Sequence, residues 1–373
     1  MLYFDNAATT KPSKTAIAKA EVFNGEMFFN PSALYLGGIN CAKEIKTAKE
    51  NILKNLHATN HNVIFTSCGS ESDNMAIFGA VKRGTFVTDK GEHSAVYKCF
   101  LELKNRGQNV IFIDLNADGT VNVNQLVECV KSNKVDFVSI MHVNNETGGI
   151  NDVNLIAKLI KSINNKIVFH VDGVQAYGKI PYNMSQDIDL YSISAHKINA
   201  LKGVGALIKK KNINVNPLIF GGGQEGGLRS GTENVFGIKV FEFAGQEKYQ
   251  NLRDNYNYVK QLREIFVEKL NRDLFTFISN DNCSPYILTI SAKGLRGEVV
   301  MHALEQNGII VGNGSACSSK NRFSRVIENC GYDNEILDGV IRISFSPENT
   351  ISECESAVEI MNNTVEKLKG KLS

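Results

Sequence analysis

The sequence predicts an α/β protein: a mostly parallel sheet of about seven strands with helices on both faces, and a smaller α+β domain beside it. Three observations carry that expectation. Short β-rich runs alternate with helical patterns from about residue 60 to 210, and such alternation means βαβ units and a parallel sheet. The runs are continuously apolar, as strands covered on both faces are. The chain has 373 residues, more than one compact core usually holds, so two domains are expected.

In order, the runs are "NVIFT", "TFVTD", "NVIFID", "DFVSIMHV", "KIVFHVD", "DLYSIS" and "GVGALIKK". Between them, "SDNMAIFGAVK" and "VNLIAKLIKSI" repeat apolar residues three and four apart, the period of a helix face. The first of these helices is expected to begin near Ser72 and Asp73. "GVGALIKK" follows its predecessor too closely for a crossover helix and is expected to be antiparallel. The glycine-rich "FGGGQEGGLRSGTEN" (220–234) then interrupts the pattern. A long helical region leads from it into the smaller domain, whose strands are "PYILTIS", "GIIVGNGSAC" and "VIRISFS". The expected division is 15–250 for the large domain, with 1–14 and 251–373 forming the small one.

Composition narrows the function classes. Lys and Arg number 41 against 39 Asp and Glu, a net charge of +2, so nothing points to direct nucleic-acid binding or a membrane partner. No apolar run is long enough to span a bilayer. None of the eight cysteines stands in a C-x-x-C pair, so zinc-ribbon, thioredoxin-like and simple iron–sulfur spacings are absent. "MLYFDNAATT" lacks the basic-then-apolar pattern of a signal peptide. With free thiols, that suggests a reducing cytoplasm.

Open parallel sheets bind ligands beyond the carboxyl ends of their strands, and the notable polar residues stand there. In "VIFTSCGSESDN" a strand ends at a Gly-Ser turn before a helix. Backbone N–H groups of Gly69 and Ser70 would face an anion such as phosphate. A plain N-cap by Ser70 or Ser72 fits the same residues. In "VFHVDGVQAYGK", Asp172 at a strand end needs a cationic or donor partner. A protonated ring nitrogen of a cofactor or a structural salt bridge would each serve, and Gln175 could reach the same ligand. In "SISAHK", Ser194, His196 and Lys197 cluster at another strand end. A lysine partly desolvated in a cleft suits Schiff-base formation with an aldehyde, although a surface lysine is the plainer alternative. His93 follows "TFVTD", and Asn144 and Asn145 follow "DFVSIMHV". Arg342, inside an apolar strand, needs an anionic partner such as a substrate carboxylate.

Two local matches are set aside. Ser194-x-x-Lys197 and "SDN" occur in the reverse of the penicillin-binding order, and K-T-G is missing. His57 and His61 have helical spacing, but "HATNH" lacks the glutamate of a zinc-protease helix.

Taken together, "YFDNAATT", "NPSALY", "FTSCGSESDN", "MHVNNETG", "FHVDGVQAYGK", "SISAHK", "GGGQEGGLRSGTEN", "GSACSSK" and "IRISFS" resemble the cysteine desulfurases that use pyridoxal 5'-phosphate. More narrowly, they resemble the type serving iron–sulfur-cluster and nitrogen-fixation systems. The resemblance spans nearly the whole chain. It implies the aminotransferase-like fold of fold type I enzymes and a homodimer. It also implies L-cysteine as substrate, and a sulfur-acceptor protein such as an iron–sulfur scaffold or a tRNA-thiolating enzyme. By the same resemblance Lys197 is the Schiff-base lysine, Asp172 pairs with the pyridine nitrogen and Gln175 with the phenolic oxygen, and His93 stacks on the ring. Gly69, Ser70, Ser194 and His196 hold the phosphate, with Thr232 reaching that of the neighbouring subunit. Asn145 and Arg342 bind the substrate carboxylate. Cys317 stands among small residues in "GNGSACSSK", where an accessible thiol is usually kept for its chemistry; here it would carry the sulfur as a persulfide. A selenocysteine lyase, or another lyase on the same fold, is the alternative. Five positions depart from the family pattern: Tyr35 for histidine, Cys68 for glycine, Ser70 for threonine, Gly173 for alanine, and Gly226 where arginine is common.

Overall fold

A computed structural model describes residues 1–313 and 323–371. Among them, the strands in chain order are β1 (Leu2–Phe4), β2 (His61–Thr66), β3 (Thr85–Asp89), β4 (Asn109–Ile113), β5 (Phe137–Ser139), β6 (Val168–Asp172), β7 (Leu190–Ser194), β8 (Gly205–Lys210), β9 (Phe275–Phe277), β10 (Ile287–Ala292), β11 (Ile309–Val311) and β12 (Val340–Ser344). Seven of these form one sheet in the order β2-β8-β7-β6-β5-β3-β4. β8 pairs antiparallel with both neighbours, and the other pairs are parallel. Each of the seven expected runs supplies one strand of this sheet, and "GVGALIKK" is its antiparallel member.

Alternating side chains put core on both faces. Phe86, Phe137 and Leu207 pack with the helices Gly69–Ala80 and Ser94–Asn105. Their neighbours Val87, Val138 and Ile208 pack on the other side with the helices Leu36–Asn55, Val153–Ile163 and Val235–Gln250. Burial of each such large side chain stabilises the fold by roughly 1.5–3 kcal/mol.

Two details differ from the sequence pattern. "DFVSIMHV" contributes only Phe137–Ser139 as strand. Beyond it the N–H groups of Ile140 and His142 still donate to His170 and Asp172 carbonyls at 3.1 and 2.9 Å. The other edge turns away into a loop that returns to bridge Val143 with Ile150. The helical region after residue 234 is two helices, Val235–Gln250 and Leu252–Lys269, parted at Asn251 with φ −119° and ψ 23°.

A second core gathers β1, β10, β11 and β12 under the helices Leu252–Lys269, Gly297–Gln306 and Ile351–Gly370. β1 joins β11 in parallel, while β10 lies between β12 and β9. The Phe4 ring meets Phe266 and Phe345 edge-on at 5.4 and 5.9 Å. This pairing carries the N-terminal segment 5–10 across the mouth of the large sheet.

Candidate active site

The strand directions bring the carboxyl ends of β2, β3, β5, β6 and β7 to one side. A cleft of about 820 Å³ opens there, closed on its far side by Val311, Gly312 and Arg342. Gly69, Ser70, His93, Asn145, Asp172, Gln175, Ser194, His196, Lys197 and Arg342 all line it. Thr232 does not; it is exposed on the loop before the helix Val235–Gln250. Cys317 lies outside the described residues.

The helix after β2 begins at Gly69, earlier than its apolar spacing suggests. Its cap residue is Cys68, extended and without a side-chain capping bond. Ser72 does not cap it, since its hydroxyl bonds Thr66 Oγ1 at 2.8 Å and the Cys68 carbonyl at 3.3 Å. The first-turn N–H groups are left to a ligand, and a helix N-terminus favours an anion. A second feature points the same way: Ser194 Oγ is buried in the cleft wall without a partner among the described residues. A Cβ on Gly69 would stand 2.9 Å from Val174 Cγ2 and 3.4 Å from Ser194 Cβ. Glycine there allows the close approach of helix and strand that builds this cradle.

Lys197 ends a single 3-10 turn that follows β7. Its Nζ donates to the carbonyls of Ala7 and Ala8 at 2.6 and 2.8 Å. The same segment is stitched to the turn by Thr10, whose N–H and hydroxyl both donate to the His196 carbonyl. His196 Nδ1 lies 3.1 Å from Thr9 Oγ1. Burial, with Lys197, Lys179 and Lys202 adding, pushes the His196 pKa down to about 4.

Asp172 ends β6, and its Oδ1 accepts the Val174 N–H at 2.9 Å. Burial pushes its pKa up, while His93, that N–H and Lys197 pull it down. His93 caps the helix Ser94–Asn105, its Nδ1 accepting the Ala95 N–H at 3.1 Å. A backbone N–H can only donate, so the ring proton sits on Nε2. Burial lowers the His93 pKa, opposed by Asp172 and reinforced by Lys197, Arg325 and Arg342; the ring is neutral at pH 7. Gln175 Nε2 donates to the Ala7 carbonyl at 2.9 Å, and its Oε1 accepts from Lys179 Nζ at 3.0 Å.

Arg342 has an anion within the chain. Its guanidinium pairs with Asp5 Oδ1 at 2.8 Å and donates to the Asn145 carbonyl at 2.8 Å. Among the described residues Arg342 Nε and Asn145 Oδ1 are buried without partners; the first is an N–H that an anion could accept from, the second an acceptor.

Of the departures from the family pattern, Gly173 has a physical cause. A Cβ there would lie 2.0 Å from the Tyr191 ring, which is fully buried and bonded through its hydroxyl to His142 Nδ1 at 2.9 Å. Gly226 takes φ +65°, a conformation that favours glycine over arginine. Tyr35 is exposed, edge-on to Phe29.

Sequence reasoning missed a buried acidic group behind the cleft. Asp73 lies in its wall, 3.6 Å from His170 Nε2, and burial and Asp172 push its pKa well up. Glu92 is fully buried, and among the described residues neither carboxyl oxygen has a close hydrogen-bond partner. Arg325 stacks over the Tyr97 ring at 3.7 Å and donates to the carbonyls of Lys90 and Glu92. Glu92 had a visible signal, since it adjoins His93 in "DKGEHSAVY". Arg325 had none.

The profile of the family described as aminotransferase class-V matches residues 2–356. A cysteine desulfurase of Nostoc sp. is 33% identical over 99% of this chain and 94% of its own length. The cysteine desulfurase IscS of Dictyoglomus turgidum is 34% identical over 99% and 95%. Among solved structures, a NifS-like protein from Rickettsia africae superposes with a TM-score of 0.89 at 30% identity, over 98% of this chain and 99% of the other. A cysteine desulfurase from Thermococcus onnurineus shares the fold with a TM-score of 0.87 at 21% identity, over 98% and 95%. Matched along its whole length, in sequence and in fold, the chain belongs to the class-V aminotransferase family and, within it, to the cysteine desulfurases.

Proposed function

We propose that this protein converts L-cysteine to L-alanine with pyridoxal 5'-phosphate as cofactor, and carries the sulfur as a persulfide on Cys317. One observation supports this above the others. Lys197, Asp172 and His93 converge on a cleft whose wall holds an uncapped helix N-terminus beside the unpartnered Ser194 hydroxyl.

The residues present fit the cofactor. The N–H groups at Gly69 and Ser70, with Ser194 and His196, would hold its phosphate; in a homodimer Thr232 would reach the partner's phosphate. Asp172 would face the ring nitrogen, Gln175 the ring oxygen, His93 the ring face and Lys197 the aldehyde. Bound there, pyridoxal phosphate supplies an electron sink for the substrate's Cα–H bond.

The chain's own groups then have defined tasks. Arg342 and Asn145 would orient the substrate carboxylate, with Asp5 holding the guanidinium in place. Lys197 Nζ would take the Cα proton, held near it by the Ala7 and Ala8 carbonyls. Neutral His93, with its proton on Nε2, would move a proton on the cleft side while Nδ1 stays committed to the helix cap. The Cys317 thiolate would attack the substrate sulfur. The carbon–sulfur bond breaks, its electron pair remains on carbon, and a proton there completes alanine. Cys317 is left as a persulfide, to be passed to an iron–sulfur scaffold or a tRNA-thiolating enzyme. In this reading the large domain is 15–250, and 1–14 with 251–373 form the small one.

The test is an L-cysteine assay of the cofactor-loaded protein with a reductant, following alanine and sulfide together, beside Cys317→Ala. Equal alanine and sulfide from the parent, both lost in the variant, are expected. Sulfide production surviving in C317A would overturn the persulfide step. Turnover of selenocysteine but not cysteine would favour a selenocysteine lyase.

A further inference from the structure

Lys179 is a buried lysine with no place in the reaction described so far. It is 6% exposed and stands behind the cleft wall, not in the cleft lining. Its amine donates to Gln175 Oε1 at 3.0 Å, and the Tyr286 ring lies 5.9 Å away. At the other end of the same amide, Gln175 Nε2 donates to the Ala7 carbonyl at 2.9 Å. That carbonyl also accepts from Lys197 Nζ at 2.6 Å. A carbonyl can only accept, so the nitrogen end of Gln175 must be the end beside Lys197. That leaves the oxygen end facing Lys179, whose amine has N–H groups to donate whether charged or neutral. Amide orientation is often ambiguous in a structure, but here the Ala7 carbonyl, which can only accept, settles it.

We propose that Lys179 is a positioning residue: it pins the Gln175 amide so that an N–H, and not the carbonyl oxygen, is what this side chain offers to the ligand beside Lys197. The proposal rests on the pyridoxal-phosphate reading above. Gln175 then donates to the cofactor's ring oxygen and favours its deprotonated form. Without Lys179 the buried Oε1 loses its donor, and the amide can turn its acceptor toward the ring oxygen, which would hold its proton.

Among the described residues, the charged groups that act on Lys179 are cations: Lys197 on the turn after β7, Lys248 on the helix Val235–Gln250, and Arg342 on β12. Lys248 is in turn faced by Glu348 and Glu247. Burial first, then these three cations, hold the Lys179 pKa well below the usual lysine range. A neutral amine still carries N–H groups, so the bond to Oε1 survives loss of the charge.

The experiment is a pH titration of the absorbance of cofactor-loaded protein, in the parent, Lys179→Met and Lys179→Arg, with folding checked by thermal melting. Methionine keeps the length and burial but donates nothing. In K179M the ring oxygen should keep its proton to higher pH, moving the absorbance midpoint up by about one unit, roughly a tenfold change in proton affinity. Arginine can only donate, so K179R should keep the parent midpoint. An unmoved midpoint in K179M overturns the proposal. So does an equal shift in both variants, which would make packing the cause. Should K179M fail to fold, K179R decides alone, and a moved midpoint there refutes the assignment. Failure of the parent to take up pyridoxal phosphate would instead sink the cofactor reading; a crystal structure of that parent with Gln175 Oε1 turned away from Lys179 would overturn the amide orientation too.

Discussion

At the scale of single residues, the cleft is built from groups whose second job is structural. His93 is both ring neighbour and helix cap, and the cap dictates its tautomer. Lys197 is held by the backbone of residues 7 and 8. The strand-end pattern was enough to single out His93, Asp172 and Lys197, because polar residues after apolar strands are locally visible. It could not show that Arg342 already has Asp5 as a partner, since the two lie 337 positions apart. Nor could it explain Gly173, whose neighbour Tyr191 sits on the adjacent strand. That contact makes a prediction. Gly173→Ala forces a methyl into a buried ring and should cost about 1–3 kcal/mol, the usual range for overpacking. Tyr191→Leu alone should also destabilise, but the double variant should lose less than the two single losses added together. Strict additivity in urea melts would show that the contact is not the cause.

At the scale of elements, helix ends decide more than helix interiors. The Gly69–Ala80 helix has no side-chain cap where it meets the cleft; Leu36–Asn55, Leu252–Lys269 and Gly297–Gln306 also lack one, whereas Val153–Ile163 and Val235–Gln250 are capped by Asp152 and Asn234. Ile351–Gly370 is the fullest case. Thr350 Oγ1 accepts the Glu353 N–H at 3.2 Å, and the Glu353 carboxylate accepts the Thr350 N–H at 2.8 Å. Thr350→Ala should therefore cost about 1 kcal/mol, read as a lower unfolding midpoint with no change in cofactor uptake. A melt identical to the parent's would mean that the second core does not depend on this cap. Element types were legible from the apolar periodicity, but the start of the Gly69 helix was not. Gly, Ser and Glu carry no apolar signal to mark it.

At the scale of the whole molecule, the buried acids and histidines pull stability in opposite directions with pH. His142 and His170 are pushed down to about 3 by burial. Unfolded, they would bind protons near pH 6.5, so they destabilise the fold as pH falls from about 6.5 toward 3. Glu92 has the opposite sign. Burial, then Asp89, Asp172 and Asp73, raise its pKa well above the usual range, with the Met141 N–H a weak counterweight. The folded state then binds a proton that the unfolded state releases near pH 4.3. Stability from this group is present below that pH and is lost as pH rises through the folded value. Glu92→Gln is neutral at every pH and should lose less stability between pH 5 and pH 8 than the parent does. The histidines are common to both proteins and cancel in the comparison. Equal losses across that range would show that Glu92 is not held protonated.

Local pattern was sufficient for the fold class, the seven strands of the large sheet and the residues that meet at its carboxyl edge. Periodicity and strand-end chemistry depend on neighbours within a few positions, and those neighbours are written next to each other in the chain. What the tertiary structure decided is how each group is held: Asp5 on Arg342, Tyr191 against Gly173, Lys179 behind Gln175, Glu92 beside Asp89. Asp5 and Arg342 lie in segments that meet only once the chain has folded, as do Gly173 and Tyr191; the other two pairs are near neighbours in the chain, and the fold decides that they are buried. Burial there sets charge and hydrogen-bond polarity, because a polar group removed from water depends on whichever partners the fold brings to it.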